Sequence, residues 1–84
     1  MKLLPMDEAP TAAGEDDFLM RIECADGSSA WACVAPTGDG SWAIALTDLL
    51  VRRDGDHWLI VGRYGDTEQV VEVPGWIPSP RVPL

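Results

Sequence analysis

The sequence predicts a small, mainly β domain: an antiparallel meander of about five strands, curled or barrel-like, with at most one short helical turn. Three observations lead there. Apolar residues alternate with period two from Phe18 to Cys24 and again from Ser41 to Leu46. Turn chemistry recurs at Asp26-Gly27, at Pro36 to Gly40, at Asp54-Gly55-Asp56 and at Gly65-Asp66. Prolines mark both ends of the chain, and the four from Pro74 to Pro83 argue against a helix or a central strand in the last eleven residues.

With 84 residues there is room for one hydrophobic core. Residues 1–17 carry Pro5, Pro10 and Gly14, and the sequence predicts an extended N-terminal arm docking through Leu3 and Leu4. The meander occupies 18–73. Along its first strand Phe18, Met20, Ile22 and Cys24 share one face. A two-residue turn at Asp26-Gly27 sets Ile22 opposite Trp31 and Met20 opposite Cys33, all on that face. Trp42, Ile44 and Leu46 share one face of the third strand, Ser41 to Leu46. Residues 47–53 read as a helical turn capped by Thr47 or an irregular crossover, with an extended return as the alternative. A last hairpin, His57 to Tyr64 and Thr67 to Val73, turns at Gly65-Asp66 and pairs Arg63 with Glu68. Residues 74–84 form a proline-rich C-terminal arm, expected to be extended chain anchored by Trp76 and Ile77. Trp31, Trp42, Trp58, Trp76, Phe18 and Tyr64 are the aromatic core candidates.

Charge narrows the function. Fourteen acidic residues against six basic ones give a net charge of −8, which opposes direct binding to nucleic acid or to an anionic membrane. No run of apolar residues is long enough to span a bilayer, and no signal peptide opens the chain; the expected location is the cytoplasm.

The catalytic and metal motifs fail one by one. Cys24 and Cys33 lie nine apart with one histidine in the chain, too sparse for a zinc site. The expected register also holds them beyond the disulfide Cα separation of about 4.4–6.8 Å, so both read as reduced thiols. His57 has Asp54 and Asp56 nearby but no nucleophile motif. Asp54-Gly55-Asp56 resembles the start of a calcium loop, yet the twelfth position is Gly65 where a glutamate is needed. The chain reads as a non-enzyme without metal or cofactor.

Two constellations remain. The acidic residues Asp7, Glu8, Glu15, Asp16, Asp17, Asp54 and Asp56 form a candidate face for a basic partner, in the manner of a nucleic-acid mimic. Trp31 and Trp58 with the adjacent pair Arg52-Arg53 form the alternative, a stacking pocket for a nucleotide.

The two ends carry a resemblance. Leu4-Pro5-Met6-Asp7-Glu8-Ala9-Pro10 before the strand Phe18-Leu19-Met20, and Gly75-Trp76-Ile77-Pro78-Ser79-Pro80 with Pro83, resemble a group of small phage and prophage proteins. Members open on a P-[IM]-[DE]-T-A-P-K-D-G pattern and close on a W-M-P-L-P-E-P-P kind of ending. The match spans about a quarter of the chain, and Glu8, Thr11 to Gly14 and Ser79 depart from it. It implies a phage-borne accessory protein of a family without established biochemistry, acting in the host cytoplasm. The function expected on that basis is binding of a host protein, such as a nucleic-acid-binding defence complex of the CRISPR kind, as an inhibitor. The alternatives are nucleotide sequestration and self-association in virion assembly.

Overall fold

The computed structural model describes residues 2–65 and 68–78. Six strands run β1 Phe18–Cys24, β2 Ser29–Pro36, β3 Ser41–Ile44, β4 Leu49–Asp54, β5 His57–Gly62 and β6 Glu68–Pro78. Each pairs antiparallel with the next, and β6 pairs back onto β1, so the sheet closes into a barrel. Closure removes the exposed edges that a meander of this length otherwise leaves. A single 3-10 turn, Met6–Glu8, lies in the N-terminal arm.

The barrel interior holds Phe18, Met20 and Ile22 from β1, Val34 from β2, Trp42 from β3, Val51 from β4, and Val71, Val73 and Trp76 from β6. Alternation along β1 is as the sequence predicts, with Phe18, Met20 and Ile22 buried. In β5 the alternation is masked: Leu59 and Val61, on the face away from Val51, are buried, while Trp58 and Ile60 on the inner face are half-buried.

The β1–β2 register differs from the expected one by one residue. Ile22 faces Ala30 and Met20 faces Ala32, while Trp31 stands opposite Arg21 and Cys33 opposite Leu19. The turn has three residues, Ala25-Asp26-Gly27, closed by Cys24 N–H to Ser28 O at 2.8 Å. Gly27 occupies the left-handed position, φ +89°, which suits a three-residue loop ending in a bulge. Asp26 Oδ1 accepts from Ser28 N at 2.8 Å and fixes that turn. A slip of one residue sends every side chain to the other face. Trp31 and Cys33 therefore lie outside the barrel, and the small Ala32 lies inside.

Residues 49–54 form a strand, not a helical turn. Val51 is fully buried opposite Trp42 and Ile60, a burial that a polar-faced turn cannot supply. Thr47 closes the hairpin instead of capping a helix: its Oγ1 donates to Ile44 O at 2.9 Å and accepts from Leu49 N at 3.1 Å. β3 stops at Ile44, and Leu46 is fully exposed in the turn with φ +63°. Leu46 sits two residues after Ile44, whose carbonyl accepts from Thr47 N–H, a turn position that favours glycine.

In the last hairpin the pairing is displaced by two residues, which preserves the faces. Trp58 faces Val71, Ile60 faces Gln69 and Val61 faces Glu68, so Arg63 is not the partner of Glu68. β5 ends at Gly62 because Arg63 N–H is drawn to Asp48 O at 2.8 Å. Asp66 and Thr67 of the expected turn lie outside the described residues.

The tail expectation also changes. Pro74 to Pro78 continue β6 and pair with β1, Met20 facing Trp76 and Phe18 facing Pro78. Proline is tolerated because the register shifts there: Ile22 of β1 spans Val73 and Pro74 between the pairs Glu23–Glu72 and Arg21–Gly75. Pro74, without an N–H, sits in that bulge. The expectation for 79–84 falls outside the described residues.

The arm docks as anticipated. Leu4 N–H donates to Trp76 O at 2.9 Å and Trp76 N–H to Leu4 O at 3.1 Å, an added bridge on the edge of β6 away from β1. Gly75 permits the approach, since a Cβ there meets Leu4 O at 2.6 Å and Leu3 Cβ at 2.7 Å. Both buried indoles are satisfied by the arm: Trp76 Nε1 donates to Pro5 O at 3.0 Å and Trp42 Nε1 to Pro10 O at 2.8 Å. The arm thus plugs one end of the barrel and contributes Ala9 to the core.

Two substitutions test this account. Trp76→Ala removes a buried ring and the arm's anchor, and is expected to cost about 3–5 kcal/mol in a urea melt. Leu46→Gly relieves a left-handed conformation and is expected to stabilise by about 1 kcal/mol, seen as a melting temperature higher by about 4–8 °C.

Candidate functional site

Antiparallel order decides which loops share an end. The chain enters β1, turns between β2 and β3, turns between β4 and β5, and leaves β6 at the end plugged by the arm. That end collects the predicted acidic residues. Asp7 and Glu8 belong to the 3-10 turn, Glu15, Asp16 and Asp17 precede β1, Asp54 ends β4, and Asp56 lies in the following turn. All seven are exposed. Asp39, in the β2–β3 turn, joins them; the sequence signal for it was its place in the turn cluster, legible only once β2 and β3 are paired.

The basic side chains from the strands at this end are partly committed. Arg53 Nη1 lies 3.3 Å from Asp7 Oδ1, its guanidinium stands 5.5 Å from the Trp58 ring centroid, and Nε donates to Gly55 O at 3.3 Å. The ion pair is exposed on both sides, so it contributes about 0–1 kcal/mol and fixes the arm's position more than its stability.

The expected stacking pocket does not assemble. Arg53 and Trp58 are neighbours, but Trp58 is half-buried against Trp42, ring centroids 5.6 Å apart. Arg52 points outward on β4 opposite Leu59. Trp31 lies on β2, outside the barrel, with the Arg21 guanidinium 5.2 Å from its ring.

Beside the arm an open groove of about 570 Å³ runs along Glu15, Asp16 and Asp17, with Pro10, Gly14, Phe18, Trp76 and Pro78 as its other lining. Phe18 and Trp76 meet edge to face, centroids 5.0 Å apart, and are almost wholly buried. The groove offers carboxylates, which accept hydrogen bonds and attract cations. Two smaller grooves of about 320 Å³ flank the Val70–Glu72 segment, one against Glu23 and Cys24, the other against His57 and Trp58.

The titratable groups show no activated nucleophile among the described residues. Both cysteines are free thiols. Cys33 Sγ donates to Asp17 Oδ2 at 3.6 Å, and its pKa is raised, first by burial and then by the Asp17 charge. A thiol so placed stays protonated and reacts slowly. Among the described residues no group of three or more His, Cys, Asp or Glu is placed to hold a metal.

Asp39 is occupied by its own turn. Its Oδ1 accepts from the Thr37 hydroxyl and from Ser41 N at 3.1 Å. These bonds, the Thr37 hydroxyl foremost, hold its pKa below the ordinary 3.8. A depressed folded pKa adds stability that is complete above the unfolded value and is lost as pH falls through the folded one. Asp39→Asn is therefore expected to lower the melting temperature slightly at neutral pH and to match the wild type once acid has protonated Asp39. For Cys33, Asp17→Asn is expected to speed alkylation by iodoacetamide in mild base, while burial keeps the rate below that of a free thiol.

No family model matches the chain, and neither a search of curated proteins nor one of solved structures returns a match.

Proposed function

We propose that the chain is a non-enzymatic accessory protein, phage- or prophage-borne as its ends suggest, that binds a basic surface of a host protein through the acidic end of the barrel. The partner class is a nucleic-acid-binding protein, such as a bacterial defence complex, and the consequence of binding is inhibition. One observation carries the reading: Asp7, Glu8, Glu15, Asp16, Asp17, Asp39, Asp54 and Asp56 are held at one end of a closed barrel. Carboxylates on such a frame hold their spacing without the ordering cost that a flexible acidic tail incurs. Their summed field steers a cationic groove toward that end and competes with the phosphates it normally holds. Arg53, already facing Asp7, is poorly placed to hold an anionic nucleotide, which favours the protein partner.

The test is a tagged pull-down from nuclease-treated host lysate at low and moderate salt, read by mass spectrometry. Beside it runs a variant carrying Glu15→Gln, Asp54→Asn and Asp56→Asn. The expected result is a stoichiometric basic protein whose capture falls about tenfold with added salt and comparably in the variant. Capture indifferent to both changes refutes the acidic end as the binding surface.

A further inference from the structure

The opposite end of the barrel has a different character. It carries the β1–β2, β3–β4 and β5–β6 connections. Of the four large apolar side chains exposed among the described residues, three lie on or beside these connections. Leu46 is 106% exposed, Tyr64 79% and Trp31 41%, while Val70 lies on the outer face of β6. We propose that this rim is a self-association surface, on which a second copy of the chain docks through Trp31, Leu46 and Tyr64.

Three features support a second copy as the occupant. The first is preorganisation. Arg63 N–H donates to Asp48 O at 2.8 Å and ties the Tyr64 segment to the Leu46 turn. Trp31 is held under the Arg21 guanidinium, which also donates to Ser29 Oγ at 2.6 Å. Docking such a rim orders few side chains that are not already ordered. The second is Leu46 itself. A fully solvated leucine in a left-handed turn has nothing to gain from its own fold, whereas a facing apolar surface buries it. The third is charge. The rim carries both signs, with Arg21 and Arg63 set among the carboxylates of Glu23, Asp26, Asp48 and Glu68. A two-fold arrangement places each patch against its own copy, so arginines of one copy can meet carboxylates of the other. The acidic end is of nearly uniform sign and repels its like, so the rim is the end at which two copies can meet. A dimer of this kind points both acidic ends outward, which makes it bivalent toward a basic partner.

Sedimentation velocity of the purified chain from about 1 μM to 1 mM tests the proposal, because this range covers weak to moderate dimers. Each series runs at about 0.15 M and 1 M salt, to separate apolar from charge-driven contact. The expected result is a mass that rises toward the dimer with concentration at both salts. Leu46→Gly, which leaves the fold at least as stable, is expected to raise the dimer dissociation constant about tenfold or more, and Tyr64→Ser to weaken the dimer as well. Val70→Ser is expected to leave it unchanged. A monomer throughout overturns the proposal and leaves the rim to a different protein. A dimer that both Leu46→Gly and Tyr64→Ser leave intact, one that Val70→Ser dissolves, or one lost in 1 M salt also overturns it.

Discussion

Trp76 joins three parts of the chain that no local interaction brings together. Its backbone pairs with Leu4 of the arm, its ring packs edge to face on Phe18, and its indole N–H reaches Pro5 O. Opposite Met20, it also belongs to the ladder through which β6 closes on β1. Without that closure the sheet has two open edges, and the apolar interior faces solvent at the seam. The Pro74 bulge and the missing side chain at Gly75 are the local conditions for it. One lets β6 pass from β5 to β1, and the other lets the arm lie against its edge.

Plugging one end of the barrel has an electrostatic result. The arm brings Asp7 and Glu8 in its 3-10 turn and leaves Glu15, Asp16 and Asp17 at the entry to β1. Even-numbered turns of the meander add Asp39, Asp54 and Asp56 to the same end. Carboxylates distant in sequence thereby become one field, while Arg53 is held back against Asp7 and Trp58. The other end keeps both signs of charge and the exposed apolar side chains. The barrel separates two kinds of surface chemistry along its length, which a flat sheet with one solvated face does less readily.

Where the structure departs from the local sequence pattern, strand pairing overrides it. Residues of β2 are apolar on both faces, so period two alone leaves Trp31 and Ala32 interchangeable; the three-residue turn around Gly27 decides between them. Residues 47–53 carry a plausible helix cap in Thr47, but burial of Val51 between Trp42 and Ile60 makes the segment a strand. Prolines at 74 and 78 argue against a strand in any sequence window, and the argument fails here because a bulge absorbs Pro74. Size and aromaticity alone place Trp31 and Tyr64 in the core of a chain of 84 residues; register and turn position leave both exposed. The acidic residues were legible as a set, since charge is visible without a fold. Their common end was not, because it depends on strand parity.

By itself the sequence determined the β class, the strand at 18–24 with its inward face, an N-terminal arm that docks through its leucines, and the acidic surplus. These follow from alternation, turn residues, proline placement and composition, all of which act over a few residues or over the whole chain without regard to order in space. Only the tertiary structure decided that there are six strands, that the sheet closes, which tryptophans are inside, and that carboxylates from five segments share one end. Each of these depends on register and closure, where a shift of one residue reverses a face and where the partner of a segment lies as far as seventy residues away along the chain.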